Sequence, residues 1–159
     1  MKKIQLTKDQ VALVDDWNYE ELNSRNWFAQ WDKCTQSYYA CRHVKVNGKQ
    51  YRISMHSQIA KPPQGMVTDH INRNPLDNRE ENLRVCTKSQ NQCNRAKNRN
   101  STTGYKGVFV DHTKWTARIR FEGKAKRLGT FSSPEDAARA YDLEAKKIHG
   151  EFAVLNFPK

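Results

Sequence analysis

The chain has 159 residues, room for one ordinary domain or two small ones with modest cores. Lysine and arginine number 28 against 17 acidic residues, and the resulting charge of +11, with a pI near 9.6, points to a polyanionic partner such as nucleic acid. No run approaches the roughly 18 apolar residues of a membrane span, and the Lys-rich start lacks an apolar signal core; a cytoplasmic protein with no membrane partner is expected. The basic excess is 3 over residues 1–58, 4 over 59–103 and 4 over 104–159, so it is spread along the chain rather than confined to a tail. That distribution suits a protein lying along a duplex, with charge kept for solubility alone as the alternative.

In chain order, the first segment, residues 1–64, mixes apolar and aromatic residues from Val11 to Tyr39 that should pack a small sheet. Tyr38–Val46 and Lys49–Met55 alternate about Asn47-Gly48, the strongest short-range signal for a hairpin. A short helix over His56–Ala60 should break at Pro62-Pro63. In the middle segment, 65–96, Met66–Thr68 reads as a strand running into Asp69-His70, followed by a polar loop and a returning strand at Leu83–Val85. Thr87-Lys-Ser-Gln90 matches a capping box, which predicts a helix starting near Lys88 and completes a strand, loop, strand, helix unit. Residues 97–103 lack apolar periodicity and read as a basic linker.

The last segment, 104–159, has the clearest periodicity. Trp115–Phe121 alternates an apolar odd face with Thr116, Arg118 and Arg120, and lies between candidate strands at Tyr105–Val110 and Ala125–Phe131. Ser133-Pro134-Glu135-Asp136 then supplies a cap, a first-turn proline and acids at the positive helix end, so a helix should run to about His149 with Gly150 as its stop. Ala137, Ala138, Tyr141, Ala145 and Ile148 fall on its inner face. The fold class expected is α+β: a small N-terminal sheet, a ββα unit, a linker, and a three-stranded antiparallel sheet packed on one helix.

Phosphodiester hydrolysis needs an activated water and a divalent ion to stabilise charge on the phosphate and the leaving oxygen. Asp69 and His70 at a strand end, with Asn91 one turn into the following helix, offer a carboxylate, an imidazole and an amide oxygen for that chemistry. The stretch from Asp69-His70 through Asn82 and Asn91 to Asn94 resembles the HNH homing-endonuclease motif in the variant ending His-Asn-Asn, without a gap over about 26 residues. The resemblance implies that His70 is the general base, that Asp69 and Asn91 hold a single Mg²⁺ or Mn²⁺, and that Asn82 braces the loop so that His70 is oriented. Met55-His56 also resembles a segment such enzymes carry just upstream. Oxygen ligation favours a hard ion over zinc. One metal with one base implies one strand cut per visit. Asn94 shares a helix face with Asn91 at i+3, with contact to metal or phosphate and a plain surface role both open, and Arg95 in the basic stretch is a candidate for the DNA backbone. Cys34/Cys41 and Cys86/Cys93 repeat a six-residue gap, wider than structural zinc usually uses, so zinc and reduced thiols stay open.

Tyr105-Lys-Gly-Val108, Trp115–Arg120, Leu128-Gly-Thr-Phe131, Glu135–Asp142 and Leu155-Asn-Phe-Pro158 resemble the plant ethylene-response-factor (AP-two) DNA-binding domain over some 55 residues. That family lays its sheet in the major groove, which assigns Lys106, Arg118, Arg120 and Arg127 to DNA by position. Phe109, Asp111 and Arg118 depart from the family pattern, so its usual target is not implied. The whole then reads as a homing-type endonuclease acting on double-stranded DNA, with residues 1–64 supporting, 65–96 cutting and 104–159 locating the site. Its setting would be a phage-infected or bacterial cell, at the nucleoid. A DNA-binding regulator with an inert nuclease motif and an RNA-binding protein are the rival classes. Target sequence, cut position and oligomeric state are not legible.

Overall fold

A computed structural model describes residues 1–95, 97, 101–121 and 123–158. The fold is α+β and the chain divides into two compact units, Met1–Lys88 and Ser89–Lys159. The expected linker falls in part on residues 98–100, outside the described residues. Among the described residues no helix is long and apolar enough to cross a membrane.

The first unit opens with an antiparallel pair that the composition alone did not reveal, β1 (Lys2–Gln5) and β2 (Val11–Val14), followed by α1 (Asp16–Asn23). Strands β3 (Phe28–Asp32), β4 (Ser37–Val46) and β5 (Lys49–Ser54) form an antiparallel sheet in the order β3-β4-β5. The β4–β5 turn is the expected one: Asn47 and Gly48 have φ of 50° and 76°, the left-handed pair that a two-residue hairpin turn needs. Helix α2 (Met55–Ala60) begins one residue earlier than expected and stops at Lys61, which has φ 45° ahead of the prolines. Ile4, Leu6, Ala12, Val14, Leu22, Trp27, Ala29, Ala40 and Met55 make the core. Strands β6 (Val67–His70) and β7 (Leu83–Cys86) pair antiparallel, with Asp69 opposite Arg84 and His70 opposite Leu83.

Helix α3 is short, Lys88–Cys93. In the second unit β8 (Val108–Asp111), β9 (Lys114–Phe121) and β10 (Lys124–Phe131) form the antiparallel sheet β10-β9-β8, backed by α4 (Pro134–His149). The first of these strands starts three residues later than the sequence suggests. Gly107, with φ 75°, explains why: its Cα lies so close to the Tyr141 ring that a Cβ would sit 2.1 Å from Cδ2, and Tyr105-Lys-Gly is therefore a tight approach rather than a strand. Ser133 Oγ accepts from the Asp136 amide at 3.1 Å, and Gly150 ends the helix, both as expected. Ala137, Ala138, Tyr141 and Ala145 are buried against Val108, Ala117 and Ile119. Two side chains of β9 differ in burial from what alternation alone suggests. Thr116, expected on the basic face, is fully buried and donates to Asp111 Oδ2 at 3.2 Å, whereas Phe121, expected on the dry face, is 46% exposed near the strand end.

Candidate functional site: a caged histidine and a basic sheet

Strand β6 carries Asp69 and His70 into the interior of the first unit, each 6% exposed. The Arg84 guanidinium, directly across the β6–β7 ladder, places Nε at 2.9 Å and Nη2 at 2.8 Å from Asp69 Oδ2, holding that oxygen from two donors. His70 Nε2 lies 3.3 Å from Asn78 Oδ1. A carboxamide oxygen only accepts, so this contact favours the tautomer with the hydrogen on Nε2. Burial pushes the His70 pKa below its ordinary value, against the opposing pull of Asn78, Asp69 and Asp77. The ring is therefore neutral at pH 7, the form a general base needs. His56 packs against it nearly perpendicular, centroids 4.9 Å apart, and Tyr39 meets both rings at 5.9 and 6.4 Å. Burial first, and the neighbouring His70 second, lower the His56 pKa to about 3.

The polar loop between β6 and β7 is rigid because its own side chains replace the missing ladder. Asn82 Oδ1 accepts from the Asn72 amide at 2.9 Å and Asn82 Nδ2 donates to the Asp77 carbonyl at 2.8 Å, bridging the two ends of the loop. Asn72 Nδ2 donates to Asp77 Oδ2, and Arg79 holds Asp77 from Nε and Nη2, each at 2.8 Å; that guanidinium keeps the Asp77 carboxyl below its usual range. The N-terminal elements clamp the loop from outside. Leu13 N donates to Leu76 O and Asn78 N to Leu13 O, both at 2.8 Å, while Glu80 accepts from Trp17 Nε1 at 3.0 Å and Asn18 Nδ2 at 2.8 Å. This is what the unforeseen β1, β2 and α1 do.

In the second unit, Asn91 stands on α3. That helix ends at Cys93, so Asn94 lies in the following turn, 7% exposed, rather than on a continued helix face with Asn91. Lys106 Nζ donates to the carbonyls of Cys93 and Arg95, both at 2.7 Å, at the negative end of α3. Cys93 Sγ meets His149 Nδ1 at 3.3 Å. On the sheet, Arg118 pairs across β9–β10 with Arg127 and sets its guanidinium 5.5 Å from the ring centre of exposed Phe109. Arg120 is exposed two residues along β9, on the same face as Arg118. Asp111 draws on Thr116 and lies 3.6 Å from Arg127 Nη2. The last turn is fastened by Asp142, whose carboxylate accepts from the Asn156 and Phe157 amides at 2.8 and 2.9 Å.

Residues 61–93 match the family described as HNH endonuclease. Protein 3.8 of Escherichia phage T7 is 30% identical over 93 residues, 57% of this chain and 76% of that protein. The chain belongs to the HNH endonuclease family. An uncharacterized HNH endonuclease of Acanthamoeba polyphaga mimivirus is 33% identical over 97 residues, 60% of this chain, which spans 50% of that relative's length. The C-terminal region of this HNH chain is similar to plant ethylene-responsive transcription factors; one from Arabidopsis thaliana is 48% identical over 58 residues, 34% of this chain and 32% of that factor.

The donor set of the HNH motif here suits a hard divalent ion. Asp69 is a buried carboxylate with one oxygen held by Arg84, an oxygen donor of the kind Mg²⁺ and Mn²⁺ take, and Asn91 carries an amide oxygen. Among the described residues no group of three or more His, Cys, Asp or Glu is gathered to hold a metal; the cysteines are free thiols, Cys34 exposed, Cys41 and Cys86 buried and Cys93 half-buried. Two residues that bear on His70 were not singled out from the sequence in that role. Asn78, fully buried, is the direct partner of the imidazole, and its position eight residues after His70 in a loop crowded with asparagines gave no signal. His56 was visible only as part of an upstream resemblance.

Proposed function

We propose that this chain is a homing-type endonuclease that hydrolyses double-stranded DNA with one divalent ion, Mg²⁺ or Mn²⁺, and is directed to its site by the C-terminal sheet. The observation that carries the reading is a buried histidine, its ring kept neutral by burial and held by Asn78, beside a buried carboxylate held by Arg84. His70 takes a proton from water as its oxygen attacks phosphorus, and the 3′-side oxygen of the broken bond leaves with the electron pair. The metal, when bound by Asp69 and Asn91, stabilises charge on the phosphate and the leaving oxygen. Arg84 keeps the Asp69 carboxylate aimed, and Asn82 keeps the loop closed beneath His70. Arg118, Arg120 and Arg127 read bases in the major groove, where arginine pairs with guanine O6 and N7. Lys106, engaged on carbonyls, adds charge rather than a base contact, and Asn94 and Arg95 lie beside the same basic path.

The test is a supercoiled plasmid or genomic DNA digest with Mg²⁺ and with EDTA, using wild type and His70→Ala. Cleavage by the wild type with Mg²⁺ alone, and none by His70→Ala despite unchanged duplex binding, supports the reading. Tight, sequence-selective binding without cleavage by either protein would make the chain a DNA-binding regulator instead.

A further inference from the structure

The β3-β4-β5 sheet has a face that the catalytic reading leaves unused. The register pairs Cys41 with Ser54, His43 with Arg52, and Lys45 with Gln50, so these six residues and Tyr39 point to one side of the sheet. Tyr39, at the inner end of that side, is the ring that meets both His56 and His70. Cys41 is buried, and from His43 outward the face is exposed: His43, Lys45, Gln50 and Arg52 are all open to solvent. The His43 ring is set against Phe28, centroids 4.9 Å apart, which steadies it on the face. Asp32, at the far end of β3, is the acidic residue of this side. From Tyr39 to Lys45 the strand covers about 20 Å at roughly 3.3 Å per residue. Measured along the duplex axis, at roughly 3.4 Å of rise per phosphate of one strand, that length spans about six base-pair steps.

We propose that this face of the β4–β5 hairpin is a second DNA-binding surface, on which Lys45 and Arg52, flanked by His43 and Gln50, grip the phosphate backbone next to the bond being cut. The proposal rests on the phosphodiesterase reading of His70: a phosphate held at that ring continues into neighbouring nucleotides, and the surface leading away past Tyr39 is basic and polar. Backbone contacts of this kind carry no base sequence. They position the duplex while the C-terminal sheet selects it.

The test uses the full chain and a duplex carrying a cleavage site, with binding measured in EDTA as a function of salt. Each lost phosphate contact lowers the slope of log K against log salt by about 0.9, so Lys45→Ala/Arg52→Ala is expected to lower it by about 1.8 and to weaken binding at least tenfold at low salt. Lys45→Arg/Arg52→Lys should restore the slope. Lys49→Ala, which removes the same charge from the opposite face of the hairpin, should keep the wild-type slope. A double variant with the wild-type slope overturns the proposal, and so does a Lys49→Ala slope reduced as much per charge, since general electrostatics would then suffice. Because binding is read without metal, a wild type that binds but never cleaves sinks the enzymatic reading while leaving this measurement intact.

Discussion

Replacing Asn78 by alanine isolates the contact that makes His70 a base. The side chain is fully buried and its one described hydrogen bond, at 3.3 Å, goes to His70 Nε2, while its Nδ2 is buried without a partner among the described residues. A neutral buried hydrogen bond contributes about 0.5–1.5 kcal/mol, and this long one belongs near the middle of that range or below. Loss of ring orientation adds to it, so the barrier should rise by about 1–2 kcal/mol, roughly 5- to 30-fold in rate. Stability should fall by about 1–3 kcal/mol, because the buried His70 nitrogen loses this partner even though truncation also removes the unsatisfied amide and leaves the Asn78 backbone bond to Leu13 in place. The assay is single-turnover cleavage of a duplex oligonucleotide at saturating protein and Mg²⁺, with near-UV circular dichroism as the control for fold. A double-mutant cycle completes it: in a His70→Ala background, Asn78→Ala should cost nothing further. A rate within twofold of wild type, or an equal loss in both backgrounds, would refute the role of Asn78 in holding His70 as the base.

Other consequences concern the frame around that contact. Arg84→Met leaves the Asp69 carboxylate buried without its guanidinium and should destabilise the first unit by roughly 3 kcal/mol in urea unfolding; adding Asp69→Asn should recover most of the stability and none of the cleavage. His56 has a folded pKa near 3, below the ordinary 6.5, so its contribution is complete above pH 6.5 and is lost as pH falls towards 3. Unfolding free energy should therefore drop through that window with a slope contribution of up to about 1.4 kcal/mol per pH unit, and His56→Phe should flatten the profile. Gly107→Ala puts a methyl carbon 2.1 Å from the Tyr141 ring and 2.8 Å from the Arg118 carbonyl at φ 75°, which should cost roughly 3 kcal/mol or more and lower the melting of the second unit selectively.

The legible parts of this fold are those in which local chemistry decides the outcome. Asn47-Gly48 could only turn a hairpin, Ser133-Pro134 could only open a helix, and the alanine and tyrosine face of α4 had to find a sheet. The segment before Asn26 was opaque for the opposite reason. Strands β1 and β2 are four residues each, too short for alternation to stand out, although Ile4, Ala12 and Val14 do turn into the core, and Leu13 also pairs with the 76–78 backbone. The same holds at the site. Asp69 and His70 were singled out by their place at a strand end and Asn82 by the family resemblance, but the partner of His70 is chosen by the path of a loop whose asparagines look alike in sequence. Thr116 shows what period two leaves out: it keeps the face that alternation gives it, but Asp111 accepts its hydroxyl and it is buried there, a covering that alternation does not encode.

The most direct measurement is to digest a genomic library with the wild-type chain and Mg²⁺ and sequence every cleaved end, alongside Arg118→Ala/Arg120→Ala. The account predicts ends that cluster at a fixed offset from one recurring sequence, with the offset kept and the sequence preference relaxed in the variant. Ends scattered without any shared sequence, or a wild type that yields none under divalent metal, would contradict it.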